Sequence, residues 1–245
     1  YKRQSIDSTP SFDALIIGGT TIRQHELGDL IKVLNSAAKD ENLSAIYLNV
    51  SELGMYYSSA FEIANAVKNI RDSGKKVIAY AETYGNTSYL ISSQASEVMV
   101  NEYGMVNAVG FSRKREFYKD LYENINLNFN IFVAGDFKSG PEPFTRNSMS
   151  DEDKMAWNDF AYPLWSKMTG MMESGRDLPE GTMQKYGDTL WEMTIENPET
   201  AEIALELDLV DMVVTREELR QWMFEKFPNE ENDKIKFEII IKLIA

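Results

Sequence analysis

Apolar residues recur along this chain in two alternating rhythms, and their order predicts an α/β protein. Asp13-Ala-Leu-Ile-Ile17, closed by Gly18-Gly19, reads as a buried strand ending in a turn. Leu27, Leu30, Ile31 and Leu34 fall at helical spacing and predict an amphipathic helix over 25–39. A second strand is predicted at 45–50. A loop over 51–57 then leads to a helix over 58–73, whose Phe61, Ile63, Ala64, Val67 and Ile70 form one stripe. Gly74-Lys-Lys76 separates that helix from a third strand at 77–81, followed by a short helix at 88–93 and a strand at 97–100. Strand–helix–strand alternation at this pitch implies parallel crossovers.

The second half is less regular. Gly104 and Gly110 bracket apolar residues, which predicts short strands and turns. Residues 113–126 read as a helix with Phe117, Leu121 and Tyr122 on one face, opened by the densest basic cluster of the chain, Arg113-Lys-Arg115. Residues 128–133 read as a buried strand, leading into the glycine-flanked loop Ala-Gly-Asp-Phe-Lys-Ser-Gly-Pro that carries Lys138. Residues 150–175 are rich in Met and aromatics: Met155, Trp157, Phe160, Trp165, Met168 and Met172. They predict a long helix packing a large apolar face, or a surface that contacts a partner. Pro163 should break or kink this helix. Ser150 and Asp153 have the spacing of a capping box with Asp in place of Glu or Gln, which accounts for the acidic run at 151–153 without a metal. A helix over 198–207 with Ala201, Ala204 and Leu205 inward, a strand at 210–214 and a helix over 216–227 complete the pattern. The expected organisation is a polar lead-in at 1–11, one domain over 12–227, and at 228–245 a polar linker with the start of a truncated second half.

Charge and composition then remove whole classes of function. A net charge of -14 opposes phosphate backbones, so no nucleic acid partner is expected. Cysteine is absent and His25 is the single histidine. Thiol nucleophiles, thiolate or histidine-rich metal sites and a Ser–His–Asp triad therefore drop out, and no cofactor is implied. No apolar run reaches the roughly 18–20 residues that cross a bilayer. The first residue is Tyr rather than Met and no signal-peptide pattern opens the chain, which points to a missing upstream segment. The chain stops inside an apolar run, which points to a missing downstream one.

What remains for nucleophilic chemistry is a hydroxyl activated by a lysine. Lys138 is either surface charge or a group placed for such chemistry. An amine is a base only when neutral, and reaching about 7–8 from an ordinary lysine value near 10.4 takes roughly three units, or about 4 kcal/mol. Phe132, Phe137 and Phe144 could supply the apolar walls this needs, with Asp136 and Glu142 pointing away. Ser139 is a supporting hydrogen bonder at best. Ser58 and Ser59 stand near a predicted helix start and read as caps before they read as nucleophiles.

Several strings carry a resemblance. Asp72-Ser-Gly-Lys-Lys-Val77, Gly104-Met-Val with Gly110-Phe111, Phe117-Tyr-Lys-Asp-Leu121, and above all Lys138-Ser-Gly-Pro-Glu-Pro-Phe-Thr-Arg146 with Met149-Ser150 resemble the amino-terminal domain of the bacterial signal peptide peptidase A (protease IV) family of tandem-domain serine/lysine proteases. The resemblance implies a Clp-protease/crotonase-like spiral of β-β-α units, with additional helices after the lysine loop. It implies that Lys138 is the general base and that the nucleophilic serine sits on a carboxy-terminal domain, after a glycine-glycine turn that residues 51–59 lack. It also implies a membrane-anchored homo-oligomer on the periplasmic side of the bacterial inner membrane, its anchor outside this chain, which degrades hydrophobic signal-peptide remnants. The chain alone would be inactive. The competing readings are a non-catalytic scaffold repeat that shapes a peptide groove, and an acyl-thioester enzyme favoured by fold analogy alone.

Overall fold

The computed structural model describes residues 27–41, 43, 45–51, 54–227 and 240–242. The strand expected at 13–17, His25 and the polar run at 228–233 lie outside the described residues. The chain forms two compact units: residues 110–168 form one, and the residues on either side form the other.

In the larger unit, α1 (Leu27–Lys39) and β1 (Ala45–Asn49) are followed by α2 (Tyr57–Asp72) and β2 (Lys76–Ala81). The short β3 (Tyr84–Gly85), α3 (Asn86–Ser92) and β4 (Glu97–Val100) come next, then β5 (Val106–Asn107). β4, β2 and β1 pair in parallel, as the crossovers require, with Ala45 opposite Lys76 and Ile78 opposite Glu97. β3 and β5 form a separate parallel pair. Toward its carboxy-terminal end the chain adds β6 (Met212–Val213) beside β4, and β7 (Ile240–Lys242) beside β1. The resulting sheet runs β6-β4-β2-β1-β7. β7 falls in the stretch read from sequence as the start of a further half, and here it extends the sheet of this unit.

The sheet explains why the strands are so apolar. Residues 77–81 are all buried, as in a parallel sheet covered on both faces. Ile78 and Tyr80 face one side, where they pack with Met99, Val214, and Leu219 and Met223 of α9 (Arg216–Lys226). Alternation turns Val77, Ala79 and Ala81 to the other side, where α2 presents Ala60, Ile63, Ala64, Val67 and Ile70. Three buried tyrosines place their hydroxyls on backbone carbonyls: Tyr84 donates to Met99, Tyr89 to Leu209 and Tyr186 to Val106, at 2.8, 2.8 and 2.6 Å. Each ring thus fills core volume without leaving a buried donor unpaired.

Three expectations for residues 110–175 need correction. The helix expected at 113–126 is confined to α4 (Lys119–Asn124), and residues 113–118 are not helical. The expected buried strand at 128–133 is not formed, and Phe132 is 98% exposed. Its apolar pattern marks surface that wants cover, but no strand among the described residues pairs with it. After α5 (Glu142–Thr145), α6 (Asp151–Gly175) runs unbroken through Pro163. Pro163 lacks the N–H that would reach the Asp159 carbonyl, and both residues are exposed, so water can serve the orphaned carbonyl. Of the Met-rich face, Trp165, Met168 and Met172 are buried, whereas Met155 and Phe160 are exposed.

Two helices escaped the sequence pattern, the single turn α5 in the lysine loop and the longer α7 (Thr182–Glu196). α7 buries Met183, Tyr186 and Leu190, whose i, i+3, i+7 spacing was available to be read. α8 (Thr200–Glu206) buries Ala201, Ile203 and Ala204, with Leu205 only half-buried.

Gly104, one of the glycines in the quoted strings, has a steric reason. A Cβ there would lie 1.9 Å from the backbone oxygen of Glu82. Gly104→Ala should destabilise the protein by about 3 kcal/mol. The urea midpoint should fall with little change in slope, and an unchanged midpoint would contradict this close approach.

Candidate active site

The site is built within residues 110–168, around a buried carboxylate. Ser150 precedes α6, and its Oγ accepts the N–H of Asp153 at 3.1 Å, the first arm of a capping box. The reciprocal arm would ordinarily come from the residue at Asp153. Here Glu142 supplies it instead, accepting the Ser150 N–H at 3.2 Å. Glu142 thereby closes the helix start from the lysine loop, and Asp153 is left for another task.

That task is to hold two arginines. Arg113 Nη1 donates to Asp153 Oδ1 at 3.1 Å, and Arg115 Nη1 donates to Oδ2 at 2.9 Å. This explains why residues 113–115 are not helical. Residues two apart lie on the same side of an extended chain, whereas a helix would turn them roughly 200° apart. Arg115 also lies 5.9 Å from the centroid of the Phe117 ring, the next residue on that side. The Asp153 side chain is 5% exposed. Burial by itself would raise its pKa, but hydrogen bonds from the Ser139 hydroxyl and Arg113, followed by the Arg113 charge and a hydrogen bond from Arg115, outweigh it. The carboxyl is therefore held below the usual range.

Arg115 ties this centre to the lysine loop. Its Nη2 donates to the carbonyl oxygens of Ser139 and, at 3.2 Å, of Gly140. The Glu142 N–H closes a turn onto the Ser139 oxygen at 3.1 Å, and the Tyr118 N–H bonds the Pro143 oxygen at 2.7 Å. On the other side of Lys138, Gly135 adopts a φ of 101°, a conformation that favours glycine. The Lys138 N–H returns to the Gly135 oxygen at 3.3 Å. The Lys138 side chain is exposed. Among the described residues it makes no ion pair, so Asp136 and Glu142 leave its ammonium unengaged.

The expected apolar walls are not closed around the lysine. Phe132 and Phe137 are exposed. Phe144 belongs to a separate aromatic cluster, with ring centroids 6.0 Å from Tyr122 and 5.1 Å from Phe129. Ser139, read as a supporting hydrogen bonder at best, contributes to holding the Asp153 carboxyl below its usual range. Ser58 and Ser59 lie in the other unit. They are not caps, because α2 begins at Tyr57 and its capping position is Tyr56, which makes no side-chain cap bond. Among the described residues there is no group of three or more His, Cys, Asp or Glu side chains placed to hold a metal. None of the described helices is long and apolar enough to cross a membrane.

From the sequence, Arg113 and Arg115 belong to a basic cluster opening a predicted helix and Asp153 to a capping box; their pairing with one another carries no such mark. Their pairing spans about forty residues, and the unbroken basic run Arg113-Lys-Arg115 shows no local pattern that would point to it.

The smaller unit thus presents Lys138, without an ion pair among the described residues, on a loop fastened by Arg115. Residues 69–227 match Peptidase family S49, and the chain belongs to that family. Protease 4 of Salmonella typhi is 26% identical over 208 residues, covering 84% of this chain and 34% of that protein. Protease 4 of Haemophilus influenzae is 27% identical over 193 residues, covering 78% and 31%. The chloroplastic serine protease SPPA of Arabidopsis thaliana is 22% identical over 117 residues, covering 48% and 17%. The chain spans about a third of the length of the two bacterial relatives. Lys138, Arg115 and Asp153 fall inside the stretch that matches the family, whereas Ser58 and Ser59 precede it.

The depressed Asp153 pKa has a definite consequence. A carboxyl whose folded-state pKa lies below its unfolded value contributes stability above the unfolded value, near 3.9, and loses it as pH falls through the folded value. Asp153→Asn leaves Arg113 and Arg115 without their carboxylate and should cost about 3–5 kcal/mol at pH 7. Thermal melts between pH 7 and 2.5 should show a weaker acid dependence in the variant than in the wild type. Equal dependence would mean that Asp153 is not held ionised by its arginines.

Proposed function

We propose that this chain is the lysine-bearing half of a Ser/Lys-dyad endopeptidase that degrades cleaved signal peptides. Lys138 is the general base for a serine supplied by a carboxy-terminal domain. The observation that carries this reading is the state of Lys138: an amine without a carboxylate partner among the described residues, on a fastened loop, inside the stretch that matches a peptidase family. A lysine in contact with a carboxylate would be held protonated and could not serve as a base.

The chemistry follows from the groups. Neutral Lys138 accepts the proton of the serine hydroxyl as its oxygen attacks the peptide carbonyl. The resulting ammonium then protonates the departing amine, giving an acyl-enzyme that water hydrolyses. An apolar peptide would lie extended along a strand edge, its side chains in shallow pockets. The parallel sheet order is compatible with a Clp-protease/crotonase-like spiral. The full-length protein would act as a homo-oligomer on the periplasmic face of the inner membrane, anchored by a segment outside this chain. The exposed Phe132, Val133 and Phe137 are surface that such an assembly would cover.

One observation favours a second reading. With Phe132 and Phe137 open to solvent, the lysine is not walled off within this chain, as a non-catalytic scaffold repeat would allow. The two readings separate on one substitution in the protein that carries both this chain and the serine-bearing domain. Lys138→Ala should lower turnover of an apolar peptide by at least a hundredfold, the contribution of a positioned general base, and this chain alone should show no turnover. Activity within a few-fold of wild type in Lys138→Ala would leave the scaffold reading standing.

A further inference from the structure

We infer that Arg115 is the positioning residue for Lys138: its guanidinium fixes the backbone that aims the base. This rests on the reading of Lys138 as general base. The need for such a device is physical. A proton acceptor must hold its place to about half an ångström, and a lysine on a four-carbon stem carries about 2 kcal/mol of rotamer freedom. Lys138 sits in a loop outside helix and sheet, where the bonds between nearby residues are Lys138 N–H to Gly135 oxygen and Glu142 N–H to Ser139 oxygen. Those turns shape the loop without tying it to anything else.

Arg115 supplies the tie nearest the lysine, while the Ser150–Glu142 and Tyr118–Pro143 bonds fasten the loop farther along. One nitrogen of its guanidinium holds the carbonyls of the two residues directly after the lysine, and the other holds Asp153 on the long helix. The side chain is 15% exposed, so these charge-assisted bonds work largely out of water. Asp153 is itself held by Arg113 and by its place in the first turn of α6. The chain of restraint therefore runs from a 25-residue helix through a carboxylate and a planar fork to the residue beside the base. A lysine at position 115 could hold the carboxylate or the carbonyls. It lacks the fork geometry to hold both.

The test uses the full-length protein, with Arg115→Ala and Arg115→Lys beside Lys138→Ala. In both Arg115 variants kcat should fall at least tenfold while KM stays within threefold, because the base is misplaced while peptide binding is not. Amides of residues 138–142 should exchange with deuterium at least tenfold faster, with the sheet amides unchanged. Millimolar guanidinium should restore part of the kcat of Arg115→Ala and none of that of Lys138→Ala. Arg115→Lys keeps a cation beside Asp153, so it carries the test if Arg115→Ala does not fold. If Lys138→Ala abolishes turnover while a folded Arg115 variant keeps kcat within threefold or normal exchange at 138–142, the positioning role is overturned and the base assignment stands. If Lys138→Ala itself retains turnover, the base assignment falls and the positioning role falls with it.

Discussion

The 110–168 unit depends on one buried charge above all, the Asp153 carboxylate. An ion of this size taken out of water costs several kcal/mol, and the cost must be met locally by hydrogen-bonded partners. Two arginines meet it here. Residues 113–115 stay out of helix, and both guanidiniums reach one carboxylate. Because Asp153 is committed to the arginines, Glu142 takes over the second arm of the helix cap, which pins the loop at a further point. The Lys-Ser-x-x-Glu-Pro-Phe-x-Arg string is thus a mechanical unit. Ser139 and Glu142 serve the helix start, and Lys138 is what that unit presents.

Periodicity made most of the larger unit legible. The stripe on α2 and the short apolar strands β1, β2 and β4 each bury against their immediate neighbours, so local pattern and tertiary outcome agree. The failures are equally physical. Residues 113–118 have helix-forming composition, yet the pull of Asp153 nearly forty residues away overrides it. Asn130-Ile-Phe-Val133 has the look of a strand, but an apolar run reports only a demand for cover and not whether this chain supplies it. Pro163 stays inside a helix on its exposed side, where the Asp159 carbonyl it leaves unpaired can be served by water. α7 is different in kind, since Met183, Tyr186 and Leu190 carry the helical spacing in the sequence itself.

The candidate site was legible in part. Without cysteine and with one histidine, elimination left lysine as the activating group, and the string around Lys138 pointed to the family that residues 69–227 match. The buttress was not legible, because an ion pair across forty residues leaves no periodic trace. The expectation that Phe132, Phe137 and Phe144 would enclose the lysine assumed that aromatics near in sequence gather in space. Phe144 stacks with Tyr122 instead, and the other two remain open. An amine that must be neutral to act would need this exposed surface covered by another part of the assembled enzyme.

The central claim is that peptide cleavage passes through the Lys138 amine. The most direct measurement is to acetylate the full-length protein in graded steps and follow Lys138 modification by peptide mass spectrometry alongside turnover of an apolar peptide. The account predicts that activity falls in proportion to the fraction of Lys138 acetylated, and that an apolar peptide aldehyde occupying the site protects both. Full acetylation of Lys138 with turnover preserved would contradict it.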